Sequence, residues 1–216
     1  KHNIHAIHCK IHDSPVHGDL ELARHGVSYI FPEPKKAFVR HRSHFLFFQD
    51  VEANYSSIKR LSARDAETYR KVARKWQQWY LDIILPELYS APKHPDAWEA
   101  ETRGKPGGKE YVDIVKGYSP VEYAAELFET EYCRLSLTGG AVSAEYDPTA
   151  KGIPALVFAT MLDWFVGKTA LVRGGTRQVA EGLAKSLKEQ GGKIFERRRV
   201  GRVVVEGGAA TGIVLE

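Results

Sequence analysis

The residues that could do chemistry in this chain are few. The adjacent pair Gly174 and Gly175 follows a short β-rich run, Thr169 to Val172, and precedes an amphipathic stretch. A strand that turns through glycines into a helix N-terminus aims backbone N–H groups at an anion, as a pyrophosphate site requires. Glu196 ends the next strand-like run, where a dinucleotide-binding unit carries an acid. The fingerprint of such a unit is G-x-G-x-x-G, and RGGTRQ supplies only the adjacent pair, which also suits close packing of helix on strand. GGAATG, from Gly207 to Gly212, misses the spacing and falls in a hairpin. GKPGGK, from Gly104 to Lys109, lacks the G-x-x-x-x-G-K-[ST] spacing of a phosphate loop. His2, His5, His8 and His12 recur at near-helical spacing, as zinc ligands could. No paired Asp/Glu or Cys in a ligand spacing joins them, so a His-rich segment facing a cavity or solvent, with no metal, is the expectation. No G-x-S-x-G, H-E-x-x-H or Ser/His/Asp order is present.

The elements that must position these residues follow from periodicity and punctuation. Asp13 to Arg24 reads as a short helix with Pro15 near its start and Gly26 at its end. Val27–Phe31, Ala37–Arg40 and Phe45–Gln49 read as strands of a small antiparallel sheet. Their aromatic residues (Tyr29, Phe31, Phe38, Phe45, Phe47, Phe48) either fill the sheet's core or line an apolar pocket. Val51–Leu61 is a helix. Ser62 with Asp65 resembles a capping box opening the longest helix, with an apolar stripe through Ala66, Tyr69, Val72, Ala73, Trp76, Trp79, Tyr80 and Ile83. Pro86 kinks or ends it. Pro92 to Gly117, with three prolines and four glycines, reads as a loop or lid. Ser119, Pro120 and Glu122 open a helix running to about Cys133, and Leu135–Ala144 and the stretch from Pro154 through Phe165 add two more. After the glycine pair, Val179, Leu183 and Leu187 mark a helix that Gly191 and Gly192 stop. Lys193–Arg197, Val200–Glu206 and Thr211–Leu215 are strand-like, the last two joined by Gly207-Gly208 as a hairpin turn.

The run RGGTRQVAEGLAKSLKEQGGKIFERRRVGRVVVEGGAATGIVL resembles the flavoprotein oxidoreductases of the phytoene desaturase (phytoene dehydrogenase-like) family and, more distantly, the amine oxidases. DLELARHGVSYIFPEP (Asp19–Pro34) and RLSARDAETYRKVARKW (Arg60–Trp76) are similar to that family's substrate-side segments, in the same order. The resemblance implies an α+β chain: residues 1–167 a helix-rich substrate domain with a small antiparallel sheet, and residues 168–216 a β-α-β-hairpin piece of a Rossmann-like flavin-binding domain. It implies FAD as cofactor, with Val200 at the adenine side and Arg173, Gly174 and Gly175 at the turn where the substrate region rejoins the flavin domain. It names no catalytic residue, since the flavin carries the redox chemistry. The implied reaction is hydride removal from a small apolar, isoprenoid-like substrate, as in carotenoid biosynthesis. Peripheral membrane contact in a cytoplasmic setting is compatible with such a substrate. A non-catalytic module that binds an apolar ligand or a partner without flavin is the alternative. The family's own dinucleotide fingerprint precedes the part that Lys1 onward resembles, so an internal fragment of a longer protein is expected.

Bulk properties limit the other classes. With 216 residues, 43% hydrophobic and 27% charged, the chain has ordinary globular composition. The net charge of +4 comes with no basic run longer than Arg197–Arg199, which argues against a nucleic-acid partner. Cys9 and Cys133 form no disulfide framework and fit a reducing compartment. The longest apolar stretch, Ile153–Gly167, is too short to span a bilayer and is expected to be a helix that is either core or interfacial.

Overall fold

The computed structural model describes residues 8, 9, 12, 14–40, 43–143, 146–152 and 168–216. In chain order the elements are β1 (His8–Cys9), α1 (Pro15–Asp19), β2 (Tyr29–Ile30), β3 (Lys36–Arg40), β4 (Ser43–Phe47), α2 (Val51–Lys59) and α3 (Ala63–Trp79). A π-helical turn, Tyr80–Ile84, leads into α4 (Leu85–Leu88). Then come α5 (Pro95–Arg103), α6 (Gly108–Gly117), α7 (Pro120–Leu127), α8 (Glu131–Ser143), β5 (Ala170–Val172), α9 (Arg177–Glu189), β6 (Val200–Glu206) and β7 (Ala209–Leu215). This is the mixed α+β architecture expected from the sequence. The expected helix within Ile153–Gly167 lies outside the described residues.

The chain forms two compact units: Ile30–Leu171, and Lys1–Tyr29 together with Val172–Glu216. The second unit thus joins the first 29 residues to the C-terminal stretch.

In the Ile30–Leu171 unit, α3 is the axis of the core. Ala66, Tyr69, Ala73, Trp76 and Trp79 recur at three- and four-residue intervals, so one face of the helix is apolar throughout, and all five are buried. Trp76 packs edge-on against Trp79 at 5.2 Å between ring centroids, and both rings meet Tyr111 of α6. Such tilted aromatic pairs gain from ring quadrupoles beyond the area they bury. The β3–β4 hairpin lies antiparallel, with Phe38 opposite Phe45. Alternation along β4 puts Phe45 and Phe47 in the core, while Phe31 is exposed, so the strand aromatics divide between core and surface. Asn54 Nδ2 donates to the Phe48 carbonyl at 3.0 Å and its Oδ1 accepts the Phe48 N–H at 2.6 Å. The side-chain amide of Gln49 pairs in both directions with the backbone of Thr169, donating at 2.8 Å and accepting at 2.9 Å.

Two expectations change here. Pro92–Gly117 is not a loop: it contains α5 and α6. Its prolines and glycines mark helix ends. Pro95 occupies the first turn of α5, Gly104 caps its end, and Gly107 takes the left-handed φ of 69° that opens α6. Gly108 is required by close approach, since a Cβ there would lie 1.7 Å from the Thr102 carbonyl oxygen. The helix starting at Pro120 stops at Leu127, and α8 begins afresh at Glu131. Its start at Ser119 is the full capping box expected.

Asp65 causes that break. Ser62 Oγ accepts the Asp65 N–H at 3.0 Å, so half of the α3 capping box exists. The Asp65 carboxylate does not return to Ser62. It accepts the N–H of Glu129 at 2.8 Å, the N–H of Thr130 at 2.9 Å and the Thr130 hydroxyl at 2.6 Å. Those groups sit just before α8, so a fully buried carboxylate on α3 serves the start of a helix 65 residues on. Hydrogen bonds to a buried charge are strong, and donors left behind by its removal are costly. Asp65→Ala is therefore expected to lower unfolding stability by about 3–5 kcal/mol, read as a lower urea midpoint. A change below about 0.5 kcal/mol, the range of surface substitutions, contradicts this role.

The other unit packs α9 on a small cluster of Leu22, Val27 and Val172, with Val179 and Leu183 partly buried against it. Gly182 is buried on the inward face, and a Cβ there would approach Val27 Cγ2 to 2.6 Å. Lys185 Nζ donates to the His25 carbonyl at 3.2 Å, and Arg24 pairs with Glu189. Gly191, with φ of 83°, and Gly192 return N–H groups to the Lys188 and Leu187 carbonyls, the expected helix stop. Strands β1, β5 and β2 form a sheet in the order β1-β5-β2, and among the described residues β6 pairs with β7 alone.

Candidate functional site

The cofactor-side residues expected from the sequence all lie in the unit that holds α9. Val172 ends β5, and the Arg173 N–H donates to the Ser28 carbonyl at 2.9 Å. The chain then turns through Gly174 (φ 81°) and Gly175 (φ 92°), with the Gly175 N–H closing onto the Val172 carbonyl at 2.9 Å. Both glycines hold backbone angles that L-residues adopt at a cost. Thr176 caps α9 without a side-chain hydrogen bond. The first-turn amides of Gln178 and Val179 are used within the turn, whereas those of Thr176 and Arg177 meet no acceptor among the described residues. Arg173 is exposed and has no ion-pair partner among the described residues. Free amides at a helix N-terminus beside an exposed guanidinium suit an anion.

The remaining parts of a dinucleotide unit are arranged differently from expectation. Lys193–Arg197 forms no strand, and Glu196 is exposed outside any sheet. The neighbours of β5 are β1 and β2. Val200 opens β6 opposite Leu215 and is about half exposed. Among the described residues its ribbon has two strands, so one edge of β6 has no strand partner there. No hydrogen bond, ion pair or ring contact joins Val200 to Arg173, Gly174 or Gly175 among the described residues. The structure thus brings the turn residues together and leaves Val200 on a separate ribbon.

A second feature, in the Ile30–Leu171 unit, has no counterpart among the motifs. A cleft of about 580 Å³ opens between α3, α6 and α7, within the usual range for small-molecule sites. Val72, Ile114 and Leu127 give it apolar walls, and the rings of Tyr118 and Tyr123 pack edge-on at 5.8 Å within it. Lys75 pairs with Glu110 at the rim at 2.6 Å. The Tyr118 phenol is hydrogen-bonded to Glu126, which raises its pKa. Burial pushes the Tyr123 phenol up to about 12. Reading the α6 region as a loop hides one wall of this cleft from the sequence.

Among the described residues, no group of three or more His, Cys, Asp or Glu is placed to hold a metal ion, and no helix is long and apolar enough to cross a membrane. Of the N-terminal histidines, His2 and His5 lie outside the described residues.

No family model matches the chain. The chain is 27% identical over 217 residues to a limonene dehydrogenase subunit from Castellaniella defragrans (strain DSM 12143 / CCUG 39792 / 65Phen). That alignment takes in 98% of this chain and 38% of the relative, so the chain spans less than two-fifths of the relative's length.

The glycine turn yields a direct test. Gly175→Ala meets no atom within 4 Å of the new Cβ, so its cost is backbone strain of about 1–2 kcal/mol. Gly174→Ala adds contact with Gln178 Cγ at 3.3 Å and is expected to cost as much or slightly more. Amide hydrogen exchange along α9 measures both; unchanged protection in both variants contradicts the geometry of the turn.

Proposed function

We propose that this chain is part of an FAD-dependent oxidoreductase of phytoene desaturase type, removing hydride from an apolar, isoprenoid-like substrate. The observation that carries this reading is the alignment to a protein named as a limonene dehydrogenase subunit, which runs through nearly the whole chain. Limonene is a terpene hydrocarbon, an apolar substrate of the class that the sequence resemblance implies. The hydride acceptor is the flavin, which supplies the redox chemistry when bound. In this reading Arg173, Gly174 and Gly175 offer the flavin's diphosphate the free amides of the α9 N-terminus. Val200 offers an open strand edge to the adenine.

The exposed hairpin supports the same reading. Val200, Val203, Val205, Ile213 and Leu215 are all exposed on β6 and β7. A lone two-stranded ribbon is marginally stable in water, so these strands make physical sense as part of a larger sheet. The relative's name describes one subunit of an enzyme, and the proposal extends to a protein partner or further copies of this chain. A cytoplasmic protein touching a membrane peripherally would meet a substrate that partitions into lipid.

The test is flavin retention and reduction. The protein produced at the relative's length is expected to keep flavin through desalting and to lose its absorption band anaerobically when limonene is added. The 216-residue chain alone, saturated with FAD and desalted, is expected to keep far less than one equivalent, because one edge of a bipartite site forfeits most of the binding free energy. Stoichiometric flavin on the 216-residue chain overturns the partial-site reading. No flavin on the longer protein supports instead a non-catalytic apolar-ligand or partner-binding module.

A further inference from the structure

The chain enters the Ile30–Leu171 unit through residues 30–33 and leaves it through residues 168–171, and one side chain is bonded to both segments. β2 and β5 are neighbours in a sheet, and the Arg173 N–H donates to the Ser28 carbonyl at 2.9 Å. Pro32 lies as far beyond Ser28 as Thr169 lies before Arg173, so an antiparallel ladder carried onward would set Pro32 against Thr169. Proline has no N–H to give to a ladder. The Gln49 side chain stands between them instead. Its Nε2 donates to the Thr169 carbonyl at 2.8 Å and to the Pro32 carbonyl at 3.3 Å, and its Oε1 accepts the Thr169 N–H at 2.9 Å.

Thr169 is only 6% exposed, and among the described residues its backbone N–H and C=O have no partner other than Gln49. Its buried hydroxyl meets no partner among the described residues and does not substitute. Buried backbone groups that lose their partner are costly. A primary amide presents a donor and an acceptor together, as a peptide unit does, and a carboxylate or an aliphatic side chain does not. The entry side also holds Gln49 through its backbone, whose N–H donates to the Glu33 carboxylate at 3.1 Å. Lys168 Nζ lies 5.7 Å from the centre of the Phe31 ring, a second crossing from exit to entry between exposed groups, and so a weaker one. We propose that the Gln49 side chain is a clasp that closes the mouth of this unit. It stands in for the strand pairing that Pro32 interrupts, and the entry and exit segments part when it lets go. The inference stands apart from the flavin reading, because no flavin-side residue takes part in it.

Amide hydrogen exchange on the 216-residue chain, read residue by residue by NMR, tests it. Gln49→Leu keeps the bulk of the side chain and removes both hydrogen-bonding groups. The Thr169 amide is expected to exchange at least about tenfold faster in this variant, while the amides of α3 keep their protection, because the opening is local. Gln49→Glu separates a clasp from simple packing. Its ionised carboxylate accepts the Thr169 N–H but has no hydrogen for the Thr169 carbonyl, and it lies beside the Glu33 carboxylate; the protonated carboxyl serves both groups. Protection at Thr169, corrected for intrinsic exchange, is therefore expected to be near that of wild type at pH values below the carboxyl pKa. It is expected to fall about tenfold as the group ionises, a step that the wild-type chain lacks at Thr169. The proposal is overturned by unchanged Thr169 exchange in Gln49→Leu, by an equal acceleration along α3, or by Thr169 protection in Gln49→Glu that does not change with pH. Should Gln49→Leu fail to fold, the pH profile of Gln49→Glu decides.

Discussion

The Ile30–Leu171 unit depends on one buried carboxylate. Asp65 holds the Glu129 and Thr130 amides and the Thr130 hydroxyl while sitting in the first turn of α3. A charge with no solvent contact persists only when donors surround it. Here the donors are the unpaired groups at a helix start, which need an acceptor for their own reasons. The two needs cancel, and the result fixes where α8 begins relative to α3. Exposed groups reinforce the joint: Ser62 Oγ donates to Glu129 at 2.6 Å and Arg64 reaches the same carboxylate at 3.2 Å. These outer contacts are solvated and contribute less than the buried ones.

With α3 held at that end, its aromatic face organises what lies farther along. Trp76 meets Trp79, Tyr111 and Tyr123, so α6 and α7 are both referred to the same two turns of α3. The indole N–H needs an acceptor when buried, and Tyr123 supplies it.

The unit holding α9 has the opposite character. Among the described residues its core cluster has three buried apolar residues and a few partly buried ones around them. Its glycine turn leaves amides free, and its hairpin leaves apolar side chains in water. Exposed apolar surface and an open strand edge are what a folded protein covers when it can. A flavin domain larger than this stretch would do so, which is why the turn and the ribbon carry the functional proposal more naturally than a self-contained fold would.

Short-range physics was legible in the sequence. The α3 stripe, the Ser119–Glu122 box, the glycine turn before α9, its Gly191–Gly192 stop and the Gly207–Gly208 hairpin all follow from spacing and backbone preference, and all appear. The α+β class followed from the same signals. What tertiary structure decided was where a local signal would be spent. The spacing of Ser62 and Asp65 marks a helix start, but only the fold shows the carboxylate turned toward residues 129 and 130. The prolines and glycines of 92–117 suit a loop or a pair of helix ends equally well. The choice went to helices because Tyr111, Val112 and Val115 could be buried against the α3 face, and Gly108 let the chain pass Thr102. The cleft was invisible for the same reason. It exists only where three helices converge, and no spacing along the chain records that the Tyr123 oxygen lies within reach of an indole 47 residues away.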